Sequence, residues 1–406
     1  MMRSMYAGVS GLRNHQIRMD VIGNNIANVN TIAFKSSRVT FQEVFNQTIR
    51  GASSPSGDRG GTNPQQVGLG MALASIDTFH TQGNLQPTGN NTDLAIQGNG
   101  FFILSEGGSH LFTRAGNFST DSSGYLVNPD GLRVQGWMAQ DGQFPALDVD
   151  NLTDIRIPLG TTIPPKATTR ITFGYNLDAR TSIGNSYTTE VKVYDSLGEP
   201  HSVTITFTRS SVNPNQWTWQ ASGSVVTAGD GTITFDSSGL YQSDAVNNPI
   251  TLNPPGASAM NVTLDLQGLT QYVGDSTASV VDRDGYAMGS LTKFTIDTSG
   301  VVTGVFSNGL TSPLARLALA SFQNPGGLTK LGQNLYEESN NSGLKQVGPA
   351  GTADRGTIAP GSLEMSNVDL SREFTEMIIT QRGFQANSRI ITTSDQMLEE
   401  LVNLKR

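Results

Sequence analysis

The sequence predicts a mixed fold. Long α-helices at the two ends pair as a coiled coil, and two all-β domains lie between them, the second inserted in the first. Three observations carry this. Apolar residues recur every seven positions at both termini, which lays one narrow stripe along an α-helix. Between the termini, Gly 45 and Pro 17 with only 15% charged residues describe a turn-rich β protein. The β region also changes character partway: Thr, Ser and Val rise between about Asp148 and Arg283, where Trp217 and Trp219 both lie.

At the N-terminus the stripe is Met5, Leu12, Met19 and Ile26, with Val9 supporting it. The asparagine-rich run from Gly23 to Thr31 predicts a helix end and a turn, because Asn side chains bond to nearby backbone and tolerate left-handed conformations. Residues 51–66 are glycine, serine and proline with almost no apolar side chain, so they read as a mobile or partner-ordered linker inside an extended connector over 33–70.

From about Met71 the period changes to two. Phe101 to Leu104 is a short buried strand, and Asp130-Gly131, Asp141-Gly142, Asp230-Gly231, Asp284-Gly285 and Asn308-Gly309 are tight-turn dipeptides. A small echo recurs at Asp121 to Gly124, Asp236 to Gly239 and Asp297 to Gly300. A calcium loop needs more carboxylates at alternate positions, so the expectation is a hairpin turn with an Asx bond and a left-handed glycine. The alternating strands Glu190 to Tyr194 and Ser202 to Phe207 belong to the inserted module, whose start Pro158, Pro164 and Pro165 mark. The predicted organisation is a helical assembly domain over 1–32 and 361–406, the connector over 33–70, a first β domain over 71–147 and 285–360, and an inserted outer β domain over 148–284.

The C-terminal helix follows Pro360-Gly361 and contains one later glycine, Gly383. Its stripe is Leu370, Met377, Phe384, Ile391 and Leu398, with Phe374 and Val402 at a second seam position. About 34 residues at 1.5 Å each make a rod of about 50 Å, longer than a small domain needs. The N-terminal 50 residues are net basic and the last 46 net acidic, which favours pairing weakly. The pattern alone fits either a helical hairpin within one chain or helices that also meet other copies.

Chemistry is not legible. The chain has no cysteine, which excludes disulfides and thiolate ligands, and His15, His80, His110 and His201 show no metal-ligand spacing. Gly98-Asn99-Gly100 and Gly68-Leu69-Gly70 lack the remainder of a nucleotide loop. No catalytic, cofactor or metal residue is singled out, and the expectation is not an enzyme, with no cofactor. A net charge of −8 argues against nucleic acid as a partner, and the absence of an 18-residue apolar run argues against membrane insertion. Arg13, His15, Arg18 and Asp20 interrupt any cleavable secretory core.

Specific strings add a resemblance. Ser4 to Leu12, Asn24 to Thr31 followed by Phe34-Lys35, and Gln381 to Arg389 are similar to the terminal signatures of the bacterial flagellar rod and hook family. Leu94 to Phe102 and Phe112 to Phe118 resemble that family's first β domain. One departure is Ala33, where the family usually has glycine. The length and the inserted module resemble the hook-forming members rather than the shorter distal rod ones. The resemblance implies a homopolymer in the extracellular hook of the flagellum: a curved, flexible tube that carries torque from rod to filament as a universal joint. It also implies contact with the flagellar distal rod protein, the hook–filament junction protein and the hook cap protein, and type III export without a cleaved signal. The terminal stripes, Met5, Val9, Leu12, Met19 and Ile26 with Leu370, Phe374, Met377, Phe384, Ile391, Leu398 and Val402, are then the assembly interface. A rod or junction component is the nearest alternative. An extracellular β-sandwich adhesin would leave the two matching heptads unexplained.

Overall fold

The structure, a computed structural model, describes residues 2–55, 57, 60–140, 142–158 and 160–404, without the side chains of 244–247. Among the described residues, helices α1 (Met2–Ala27) and α2 (Leu370–Asn403) bound a chain otherwise built of strands, loops and one short 3-10 turn at Pro325–Gly327. The chain falls into two compact units: one of Met1–Ile157, Phe294–Thr303 and Pro313–Arg406, the other of Pro158–Lys293 and Gly304–Ser312.

In the first unit, α1 ends where the asparagines predict. Asn28 Nδ2 donates to the Asn24 carbonyl at 2.9 Å, and Thr31 N donates to the Asn28 carbonyl. Ala33 then takes the left-handed turn, φ 57, although it carries a methyl group that disfavours it. Strands flank the segment read as a linker, of which residues 56, 58 and 59 lie outside the described residues. Ser37–Glu43 pairs antiparallel with Met71–Thr78, Asn46–Arg50 with Gln65–Gly68, and Ser53 bridges Thr62. The strands over 46–50 and 65–68 are wholly exposed, so backbone pairing shapes them where side-chain burial cannot.

The body of this unit centres on Phe101–Glu106, which pairs with Ser109–Thr113 on one side and with Arg133–Met138 and Leu319-Ala320 on the other. Its core holds Phe101, Ile103, Phe112, Trp137, Phe322 and Tyr336, with Phe112 and Phe322 edge to face at 4.8 Å. Trp137 satisfies its indole by donating to the Asp148 carbonyl at 2.9 Å.

The second unit packs two five-stranded sheets on a common core. One runs through Arg170–Asn176 and Met260–Thr270, the other through Pro200–Arg209 and Gln216–Ser222. Alternation drives it: Trp217, Trp219 and Ala221 point inward while Thr218 and Gln220 face solvent. Phe173 of one sheet meets Phe207 of the other at 5.8 Å.

The echoed turns form as expected. Asp121 Oδ1 accepts from Ser123 N and Tyr125 N, Asp236 Oδ1 from Ser238 N and Leu240 N, and Asp297 Oδ1 from Ser299 N and Val301 N. Gly124, Gly239 and Gly300 hold φ between 78 and 83. Asp195 with Gly198 builds a further example that the sequence reading passed over.

Candidate assembly interface

Helices α1 and α2 lie antiparallel in the first unit. Gly8 faces Ile391, Gly11 faces Asn387, His15 lies against Gly383, and Arg18 Nη2 reaches Glu376 Oε2 at 2.6 Å. A Cβ on Gly11 would come within 2.7 Å of the Asn387 side chain, and one on Gly383 within 2.8 Å of the His15 ring. These glycines permit the close approach. The shared face is made of small and polar residues at heptad spacing: Gly11, Arg18 and Asn25 on α1, and Glu373, Thr380, Asn387 and Ser394 on α2. Burial pushes the Glu373 carboxyl up, whereas the Arg18 bond holds Glu376 down.

The apolar stripes lie beside that face. Met5, Leu12, Met19 and Ile26 are half-buried and Val9 is exposed; on α2, Met377, Ile391 and Leu398 are half-buried, while Leu370, Phe374, Phe384 and Val402 are exposed. Of these, Ile391 is brought against α1, at Gly8. The sequence reading also missed exposed apolar residues on α2, among them Ile378, Ile379, Met397 and Leu401. They stand off the strict repeat of seven and so escaped a search keyed to it.

Below the helix pair lies a cluster with no sequence signal as a site. Lys35 Nζ meets Glu364 Oε1 at 2.6 Å, with no exposed area on either side chain, and Arg114 Nη1 lies 3.4 Å from Glu364 Oε2. Burial pulls the Lys35 ammonium and the Arg114 guanidinium down, and Glu364 opposes both shifts. His80 packs on Phe101 and Tyr336; burial, with Lys35, Lys330 and Arg114 nearby, lowers it to about 4. Burial raises the Tyr336 phenol to about 12.

Among the described residues one group has metal-ligand proximity: Asp195, Glu199 and His201. Its geometry is that of a braced turn. Asp195 Oδ1 accepts from Leu197 N and Glu199 N, and Oδ2 lies 3.0 Å from His201 Nε2.

Family comparisons agree with these parts. The model of the flagella basal body rod protein matches residues 5–35, and that of the flagellar basal body rod FlgEFG protein C-terminal matches 359–404. The flagellar hook protein FlgE/F/G D1 domain matches 95–176, and the flagellar basal body protein FlaE D2 domain 151–286. The flagellar hook protein FlgE of Borreliella burgdorferi is 45% identical, and that of Treponema pallidum 43%, each with 100% of both chains covered. The flagellar basal-body rod protein FlgG of Bacillus subtilis is 35% identical, again over 100% of both. The crystal structure of the Helicobacter pylori flagellar hook protein FlgE2 shares the fold at TM-score 0.53 and 18% identity, covering 69% of this chain and 100% of that one.

Terminal helices of the rod type flanking hook-type β domains define a structural protein of the bacterial flagellum. The chain belongs to the flagellar hook protein family. It is a structural subunit of the hook and not an enzyme.

Proposed function

We propose that the subunit polymerises through both terminal helices into a curved, flexible tube that passes torque from rod to filament. The observation that carries this is the apolar surface α1 leaves uncovered on α2, at Leu370, Phe374, Phe384 and Val402. Fully burying one such side chain contributes about 1.5–3 kcal/mol, so a few along one helix rival the stability of a whole domain. The α1–α2 face itself holds mostly glycine, asparagine, threonine and serine, which gives little apolar burial. The stripes Met5, Leu12, Met19 and Ile26 and Met377, Ile391 and Leu398 then complete a coiled-coil layer with helices of neighbouring copies. In this scheme 71–147 with 285–360 forms the inner β body, and 148–284 is a module inserted in it that adjusts contacts between copies as the tube bends. The ends of the tube meet the distal rod, hook–filament junction and hook cap proteins, and the subunit arrives through the flagellar type III export apparatus.

Phe384→Asp tests the helix surface. Polymerisation should be abolished while circular dichroism of the β units stays unchanged; normal tubes from this variant would refute the role of the stripe. The full-length similarity to a rod protein keeps a rod or junction component as the second reading. Electron microscopy of the purified polymer separates the two, since the rod reading requires a straight tube.

A further inference from the structure

Three chain segments cross at the base of the helix pair. Ala33 N donates to the Glu364 carbonyl at 2.8 Å, Asn367 N to the Phe34 carbonyl at 3.3 Å, and Ser36 N to Asn367 Oδ1 at 2.8 Å. The Asn367 amide donates in turn to the Phe79 carbonyl at 2.9 Å. Inside this crossing the ion cluster is completed by backbone: Lys35 Nζ donates to the Thr81 carbonyl at 2.8 Å, Gly83 N to Glu364 Oε1 at 2.8 Å, and Arg114 Nη2 to the Gly98 carbonyl at 2.7 Å. Lys35 lies on the segment leaving α1, Glu364 on the segment entering α2, and Arg114 at the end of a strand in the β body. The residues are far apart in sequence, 329 positions between Lys35 and Glu364 and 250 between Arg114 and Glu364.

A buried charge deprived of its partner is strongly destabilising, far beyond the net worth of the intact group. Seating the N-terminal root alone would press the Lys35 ammonium against the Arg114 guanidinium with no anion between them. Seating the C-terminal root alone would leave Glu364 with the weaker of its two ion contacts. Half-seated states are therefore disfavoured by electrostatics, independently of how well the segments pack. We propose that the Lys35–Glu364–Arg114 cluster is a coupling latch that makes the two helix roots dock onto the β body, and leave it, as one event.

Hydrogen exchange on the full-length soluble subunit tests this without recourse to the polymer. In the unmodified protein the slowest amides of 33–37 and 362–367 should share one protection factor, because a single opening exposes both. Protection factors differing by more than about 10-fold would overturn the proposal. In Glu364→Gln both segments should exchange at least about 100-fold faster while Phe101–Glu106 keeps its protection; loss confined to 362–367 would sink the latch. A triple variant, Lys35→Met, Arg114→Met and Glu364→Leu, removes every charge at once. It should regain protection in both segments but let them open at separate rates, whereas a common rate would mean that packing and the root-to-root hydrogen bonds couple them without the charges, which would overturn the latch.

Discussion

His80 and Gly383 show how much a single position decides. The His80 ring is packed between Phe101 and Tyr336 and faces Lys35, Lys330 and Arg114, so it is held neutral, at about 4 against 6.5 for the free side chain. The unfolded chain therefore takes up a proton on His80 that the folded one refuses. Stability is full above about pH 6.5 and is lost as pH falls toward about 4, by on the order of 3 kcal/mol. Urea unfolding at pH 7 and pH 4.5 should show this loss, and His80→Phe should shrink it. Gly383 is held to glycine by contact. Its Cβ would meet a His15 ring hemmed in by Phe41, so Gly383→Ala should loosen the helix pair by about 1–3 kcal/mol. Gly23, in α1 with no atom near its Cβ position, gives the opposite sign: Gly23→Ala should stabilise by about 0.5–1 kcal/mol in the same assay.

At the scale of the element, α2 begins on a definite cap: Asp369 Oδ1 accepts from Ser371 N at 2.9 Å and Arg372 N at 3.3 Å. Asp369→Ala should cost about 1 kcal/mol and fray the first turn, visible as faster amide exchange over 371–374 and unchanged exchange beyond Thr380. Both helices were legible in the sequence because apolar residues seven apart are sufficient to specify a helix. The face they share was not. It consists of Gly11, Thr380, Asn387 and their neighbours, which a search for apolar periodicity does not register, although close helix approach selects such small side chains. The Asx turns were legible because each is local: an Asp and a Gly three positions later contain all the information. The ion cluster was illegible for the converse reason. Lys35 and Arg114 stood inside recognised strings, but nothing near either points to Glu364, and only the assembled β body brings the three together. The exposed strands over 46–50 and 65–68 were illegible because a pair held by backbone bonding needs no apolar side chains.

For the whole molecule, the proposed split between an assembly core and an adjustable outer module gives one mechanical expectation. A chain lacking 148–284 should still polymerise, and its tubes should be straighter or differ in bending stiffness by electron microscopy; failure to polymerise at all would join the module to the core. The antiparallel contact of α1 with α2 has a consequence in time. Arg18 and Glu376 are 358 positions apart, whereas the turns at Asp121, Asp236 and Asp297 close over four residues. Closing a loop costs about (3/2)RT ln n, and contacts that distant form late. The β body must first bring the two roots together, which leaves only the short stretches from Lys35 back to Ala27 and from Glu364 on to Leu370 to be searched. The terminal pair is thus expected to close after the β body. In the proposed assembly scheme, each end stays open to another copy until that pair closes.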